Sequence, residues 1–171
     1  LRHSSAASDV YKRQQQQKVF LDPDDIEFIP PYFPDDPVIR RDMATNYSNL
    51  VRMDKEVGKI ISELKEQGLY DNAYIFFYSD HGGPFPRHKR AIYQTGTKVP
   101  FFVKFPKSLH AGEKDDRLLS FVDLAPSVLQ IAGIEIPRHM QGKPINEFLH
   151  KSLRDYLVTA SDRFDGQYDR V

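Results

Sequence analysis

Residues 73–79, Ala-Tyr-Ile-Phe-Phe-Tyr-Ser, form an apolar run with no alternation between apolar and polar positions. A strand with one wet face alternates with period two, so a run without alternation suits a strand covered on both faces, as in a parallel sheet between helices. The neighbouring segments support that architecture. Tyr47, Leu50, Val51, Val57, Ile60, Ile61 and Leu64 fall on one side of a 3.6-residue period and Gly68 stands where a C-terminal cap belongs, which predicts one long helix over 41–67. Asp54 lies on the same stripe, and a buried carboxylate with local hydrogen-bond partners is the better reading than a carboxylate turned to a functional neighbour. Residues 100–106 (PFFVKFP) predict a second strand. Residues 123–131 predict a helix with Asp123 as N-cap, Pro126 in the first turn and Gly133 just past the end. Helix, buried strand, loop, strand, helix is an α/β order.

Several classes are excluded before any motif is weighed. Lysine plus arginine balance aspartate plus glutamate at 24 each, so no summed field draws the chain to a polyanion, and nucleic acid is not an expected partner. The longest apolar runs, 74–78 and 99–103, fall far short of the roughly 20 residues of a membrane span. Without cysteine there is neither a disulfide framework nor a thiolate metal site. Twelve Phe and nine Tyr in 171 residues suffice for a core. Residues 1–17 lack apolar period and signal-peptide layout and read as a non-native or disordered leader, leaving 18–171 as the folded portion. Five prolines between Val19 and Pro37 predict an extended connector.

The chemistry concentrates directly behind the buried run. Asp80, His81, Gly82 and Gly83 stand at its carboxyl end, where open α/β sheets place ligand sites. A carboxylate and an imidazole on consecutive residues can turn toward one divalent cation, while two glycines let the backbone bend away. Beyond a stiff Pro84-Phe85-Pro86 segment comes a basic cluster of Arg87, His88, Lys89 and Arg90. Cations held beside a metal are what an oxyanion needs as charge develops on its bridging oxygen.

Tyr78-Ser79-Asp80-His81-Gly82-Gly83-Pro84, Pro86-Arg87-His88-Lys89-Arg90, Tyr93, Gly96, Val99-Pro100, Ser120-Phe121-Val122-Asp123-Leu124-Ala125-Pro126 and Ala132-Gly133-Ile134 together closely resemble the type I sulfatases of the alkaline phosphatase superfamily. The resemblance runs from about Val19 to the end of the chain. It implies a portion of an alkaline-phosphatase-like sandwich, with a mixed, mostly parallel sheet between helices. By the same resemblance Asp80 and His81 belong to a calcium site completed by residues of an N-terminal half, and Lys89 takes the place of the catalytic basic residue that holds the sulfate and its leaving oxygen. Many members carry Asn where this chain has His81, and a ring nitrogen suits manganese or zinc better than calcium. The family's formylglycine arises from Cys or Ser in a C/S-x-P/A-x-R motif, which is not found in these 171 residues. The chain is therefore expected to carry only part of the active site and to be inactive alone.

Two alternatives stay open: a phosphoesterase or phosphonate hydrolase of the same superfamily, and a non-catalytic module. The tail holds a last candidate. Tyr156-Leu157-Val158 reads as a strand, followed by Asp162, Arg163 and Asp165, where carboxylates can accept from sugar hydroxyls and Arg163 can pair with an acidic group. The tail and the Pro-Phe-Pro run resemble the N-sulfoglucosamine sulfohydrolase-like sulfatases, which implies a sulfated sugar as substrate and a periplasmic or extracellular location.

Overall fold

The long helix of the chain is set by an aspartate and a proline. In this computed structural model, which describes residues 20–145 and 154–160, the Asp36 carboxylate accepts from the backbone N–H groups of Val38 (2.8 Å) and Ile39 (3.0 Å), and Pro37 occupies the first helical position. Helix α1 therefore runs Pro37–Glu66 and starts four residues before the apolar period suggested. It ends as predicted, at Gly68 with a φ of 68° and a Leu69 N–H to Leu64 carbonyl bond of 2.9 Å.

The proline-rich connector folds back along the first half of α1, all within the unit that ends at Asp71. Backbone N–H groups of Phe20 and Leu21 donate to Ser48 Oγ (3.3 and 3.2 Å), whose hydroxyl donates to the Ala44 carbonyl (2.6 Å). Arg40 binds both Asp35 oxygens and the Ile26 carbonyl (3.0 Å). Ile26, Met43, Ala44 and Ser48 are buried. Ala44 and Ser48 lie roughly a third of a turn round from the predicted stripe, so the stripe stays largely open: Tyr47, Leu50, Val51 and Ile60 are exposed. Asp54 is exposed as well, and the expectation of a buried carboxylate there is corrected.

The second unit begins at Asn72. Strands β1 (Ile75–Tyr78) and β2 (Phe101–Lys104) pair antiparallel, with Tyr78 opposite Phe101 and Ile75 opposite Lys104. Among the described residues this pair is the whole sheet, and β1 is half-buried instead of covered on both faces. The pairing is antiparallel because the loop between the strands returns the chain to the same end of the sheet, so no crossover helix is needed. Aromatic rings cover the pair, with Tyr78 on Phe101 (5.9 Å) and on Phe121 (5.3 Å), and Phe77 on Phe102 (6.0 Å). A four-residue helix α2, Gln94–Thr97, lies in the loop.

Helix α3, Leu124–Ile131, ends at Gly133 with a φ of 70°, as its sequence predicts. Its beginning differs. Asp123 holds the predicted N-cap position, but it is also the last residue of a 3-10 turn, Phe121–Asp123, and its side chain makes no capping bond to α3. That carboxylate is fully buried and accepts from Ser120 N–H (2.9 Å), Lys143 N–H (2.8 Å) and both terminal nitrogens of Arg154 (2.6 and 2.8 Å). Burial works to raise the Asp123 pKa, but the Arg154 bonds and the two backbone donors outweigh it and hold the carboxyl below the usual carboxylate range. Tyr156, Leu157 and Val158 are exposed and form no strand, because no described segment pairs with them. The leader 1–17 falls outside the described residues.

Candidate functional site

The chain leaves β1 through a turn closed by Ser79, whose hydroxyl donates to the His81 carbonyl (2.7 Å). Asp80 is wide open, its side chain 80% exposed, and His81 beside it is 40% exposed. The imidazole Nδ1 lies 2.8 Å from the Gly82 carbonyl, which can only accept, so Nδ1 carries the proton. The other ring nitrogen, Nε2, stands 3.5 Å from Asp80 Oδ2 and carries the lone pair whenever the ring is neutral. A carboxylate oxygen and an imidazole lone pair this close, one fixed in tautomer by a backbone carbonyl, suit two positions on a single divalent cation. Among the described residues no third His, Cys, Asp or Glu joins them, so the pair by itself falls short of a complete ligand set.

The basic cluster returns to this turn through the main chain. Lys89 N–H donates to the Gly83 carbonyl (3.0 Å) and His88 N–H to the Phe85 carbonyl (3.1 Å), closing a loop around Pro84 and Pro86. The His88 ring meets Phe85 edge to face at 6.0 Å and is half-buried, whereas Arg87, Lys89 and Arg90 are exposed. Arg87 and Arg90 both have a φ of 66°. Asp80, His81 and Lys89 are thus brought to one loop. Asp162 and Arg163 lie outside the described residues.

The two glycines of the motif serve different ends. At Gly83 a Cβ would meet the His88 ring at an ordinary 3.6 Å, but at Gly82 it would lie 1.9 Å from the Thr95 carbonyl oxygen. Gly82 is there because another backbone passes against it. Sequence reasoning counted Gly96 among the family motif residues but did not single out Thr95 or the contact with Gly82; a glycine inside a short helical turn, where glycine has no local use, was the sign of it.

Comparison with known proteins places these features in a family. The sulfatase family model matches residues 3–134. An ulvan-active sulfatase of Formosa agariphila is 43% identical over 144 residues, covering 84% of this chain and 24% of its own length. Human N-sulphoglucosamine sulphohydrolase is 33% identical over 118 residues, covering 68% of this chain and 24% of its own. An N-acetylglucosamine-6-O-sulfatase of Bacteroides thetaiotaomicron is 30% identical over 125 residues, covering 69% and 22%. The chain thus spans about a quarter of the length of the curated relatives it matches. With its strand-end Asp-His turn and tethered basic loop inside the matched segment, the chain belongs to the sulfatase family.

Proposed function

We propose that this chain forms the C-terminal portion of the catalytic domain of a longer type I sulfatase that hydrolyses sulfate esters or sulfamates on a sulfated sugar. The observation that carries the reading is the Asp80-His81 turn, whose Nε2 and Oδ2 stand 3.5 Å apart while Nδ1 is committed to Gly82. Asp80 and His81 would hold one divalent cation, calcium in the first place, with manganese or zinc the alternatives that a ring nitrogen admits. Once bound, such a cation would supply positive charge to offset negative charge on a sulfate group. Lys89, exposed on the tethered loop, binds the sulfate and offsets the negative charge that grows on the leaving oxygen. The formylglycine nucleophile and the remaining acidic ligands would come from the rest of such an enzyme, and the sheet begun by β1 would complete an alkaline-phosphatase-like sandwich with mostly parallel strands.

A glycan substrate is supported by relatives whose names specify ulvan, N-sulphoglucosamine and N-acetylglucosamine-6-O-sulfate chemistry. Asp162 and Arg163 are proposed to meet the sugar. Export to the periplasm or beyond is supported by the likeness to an extracellular sulfatase SULF-1 homolog of Drosophila melanogaster, 32% identical over 134 residues. No helix among the described residues is long and apolar enough to cross a membrane.

The deciding experiment is Asp80→Asn in the complete enzyme, with metal content by elemental analysis and turnover on a panel of sulfated monosaccharides, choline sulfate and a phosphate ester. Loss of both metal and turnover is expected. Unchanged metal content would remove the assignment of Asp80. A phosphate ester preferred over every sulfate would replace the sulfatase reading with a phosphoesterase.

A further inference from the structure

We propose that Thr95 and Gly96 are positioning residues for Lys89, a clasp that fixes the basic loop against the backbone of the Asp80-His81 turn. The proposal rests on the sulfate role assigned to Lys89 above. Contacts from both segments converge on these two residues. The Thr95 hydroxyl donates to the carbonyl of Arg87, two positions before Lys89. The Gly96 carbonyl accepts the N–H of Gly82, the residue after His81, at 3.0 Å.

Steric fit is equally close. Gly96 is buried, and a Cβ placed on it would fall 2.2 Å from the Ala91 carbonyl oxygen and 2.3 Å from that of His88. A Cβ on Gly82 would strike the Thr95 carbonyl oxygen at 1.9 Å. The metal-side turn and the cation loop are therefore packed, main chain to main chain, on the same dipeptide. Between them, His88 and Lys89 are bracketed by Arg87 and Arg90 in left-handed conformations that residues with a Cβ rarely adopt. Such a backbone persists where its surroundings over-determine it, and the Thr95 bond to Arg87 is one of those restraints.

The consequence falls on Lys89 because its side chain is long and exposed. Where its ammonium can reach is decided by where its main chain is held. The Lys89 N–H is tied to Gly83 on one side, and on the other Thr95 ties the carbonyl of Arg87, two residues earlier. A displacement of about 1 Å in a charge-bearing group can cost up to about 10²-fold in rate.

The test uses the complete enzyme carrying Thr95→Val, Thr95→Ser, Lys89→Ala and the Thr95→Val/Lys89→Ala pair. Valine keeps the branched shape of threonine and removes the hydroxyl, so this variant folds where Gly96→Ala, with its clashes, need not. Thr95→Val is expected to lower kcat about 10-fold with KM and bound metal unchanged, and Thr95→Ser to restore it. In the Lys89→Ala background Thr95→Val should cost nothing further, since both act through one group. Amide hydrogen exchange at Lys89 should quicken in Thr95→Val while the amides of β1 and β2 keep their protection. An equal loss from Thr95→Val with and without Lys89, or a Thr95→Ser enzyme as slow as Thr95→Val, would overturn the proposal alone. Normal turnover by Lys89→Ala would fell the sulfate reading first and the clasp with it.

Discussion

At Asp123 a carboxylate with no solvent exposure meets four donors, two on Arg154 and two from the main chain. Removing the arginine leaves a buried charge with half its partners, and breaking a buried pair in this way costs about 3 kcal/mol or more. Arg154→Met should therefore lower the urea midpoint by a corresponding amount at neutral pH. The same site sets an acid limit. The folded pKa of Asp123 lies below its unfolded value of about 3.9, so its contribution is fully present above that value and is lost as pH falls through the folded pKa. Asp115 acts in the same direction, its carboxyl held down by the hydrogen bonds from Arg117. Asp123→Asn should flatten the acid side of the stability profile, measured by urea melts from about pH 3 to 7. A profile as steep as that of the unaltered chain would show that Asp123 is not the group responsible.

Among the elements, α1 depends most on its first turn, where one carboxylate satisfies two backbone donors. Asp36→Ala should destabilise the first unit by about 1 kcal/mol, read as reduced amide protection at Val38 and Ile39. This cap was written in the sequence as Asp-Pro ahead of an apolar period; periodicity alone placed the start later, because the connector packs on Ala44 and Ser48 instead of on the predicted stripe. Strand and helix identities were legible for residues 75–78, 101–104 and 124–131, where apolar runs and glycine stops are local signals. Strand direction was not legible, since an apolar run does not reveal its partner. Nor could local signals disclose the role of Asp123, whose partners Lys143 and Arg154 lie 20 and 31 residues away. At the site, Asp80, His81 and Lys89 stood out by chemistry, whereas Thr95 has an ordinary side chain and acts through a carbonyl it meets eight residues back.

For the molecule as a whole, large apolar side chains remain at the surface of each unit. They include Leu50 (47%) and Ile60 (57%) on α1, and Phe102 (63%) and Val122 (57%) in the second unit. Exposed apolar area on this scale favours association. The purified 171-residue chain is expected to elute above its 19.8 kDa mass on size exclusion and to show no aryl sulfate hydrolysis above a Lys89→Ala control. A monomeric, active chain would contradict both expectations. The Asp123–Arg154 tie also has a consequence in time. Synthesis at about 5–20 residues per second delivers Arg154 roughly 2–6 s after Asp123. During that interval the carboxylate lacks the Arg154 guanidinium, so the corner ahead of α3 can close fully only once Arg154 has been synthesised.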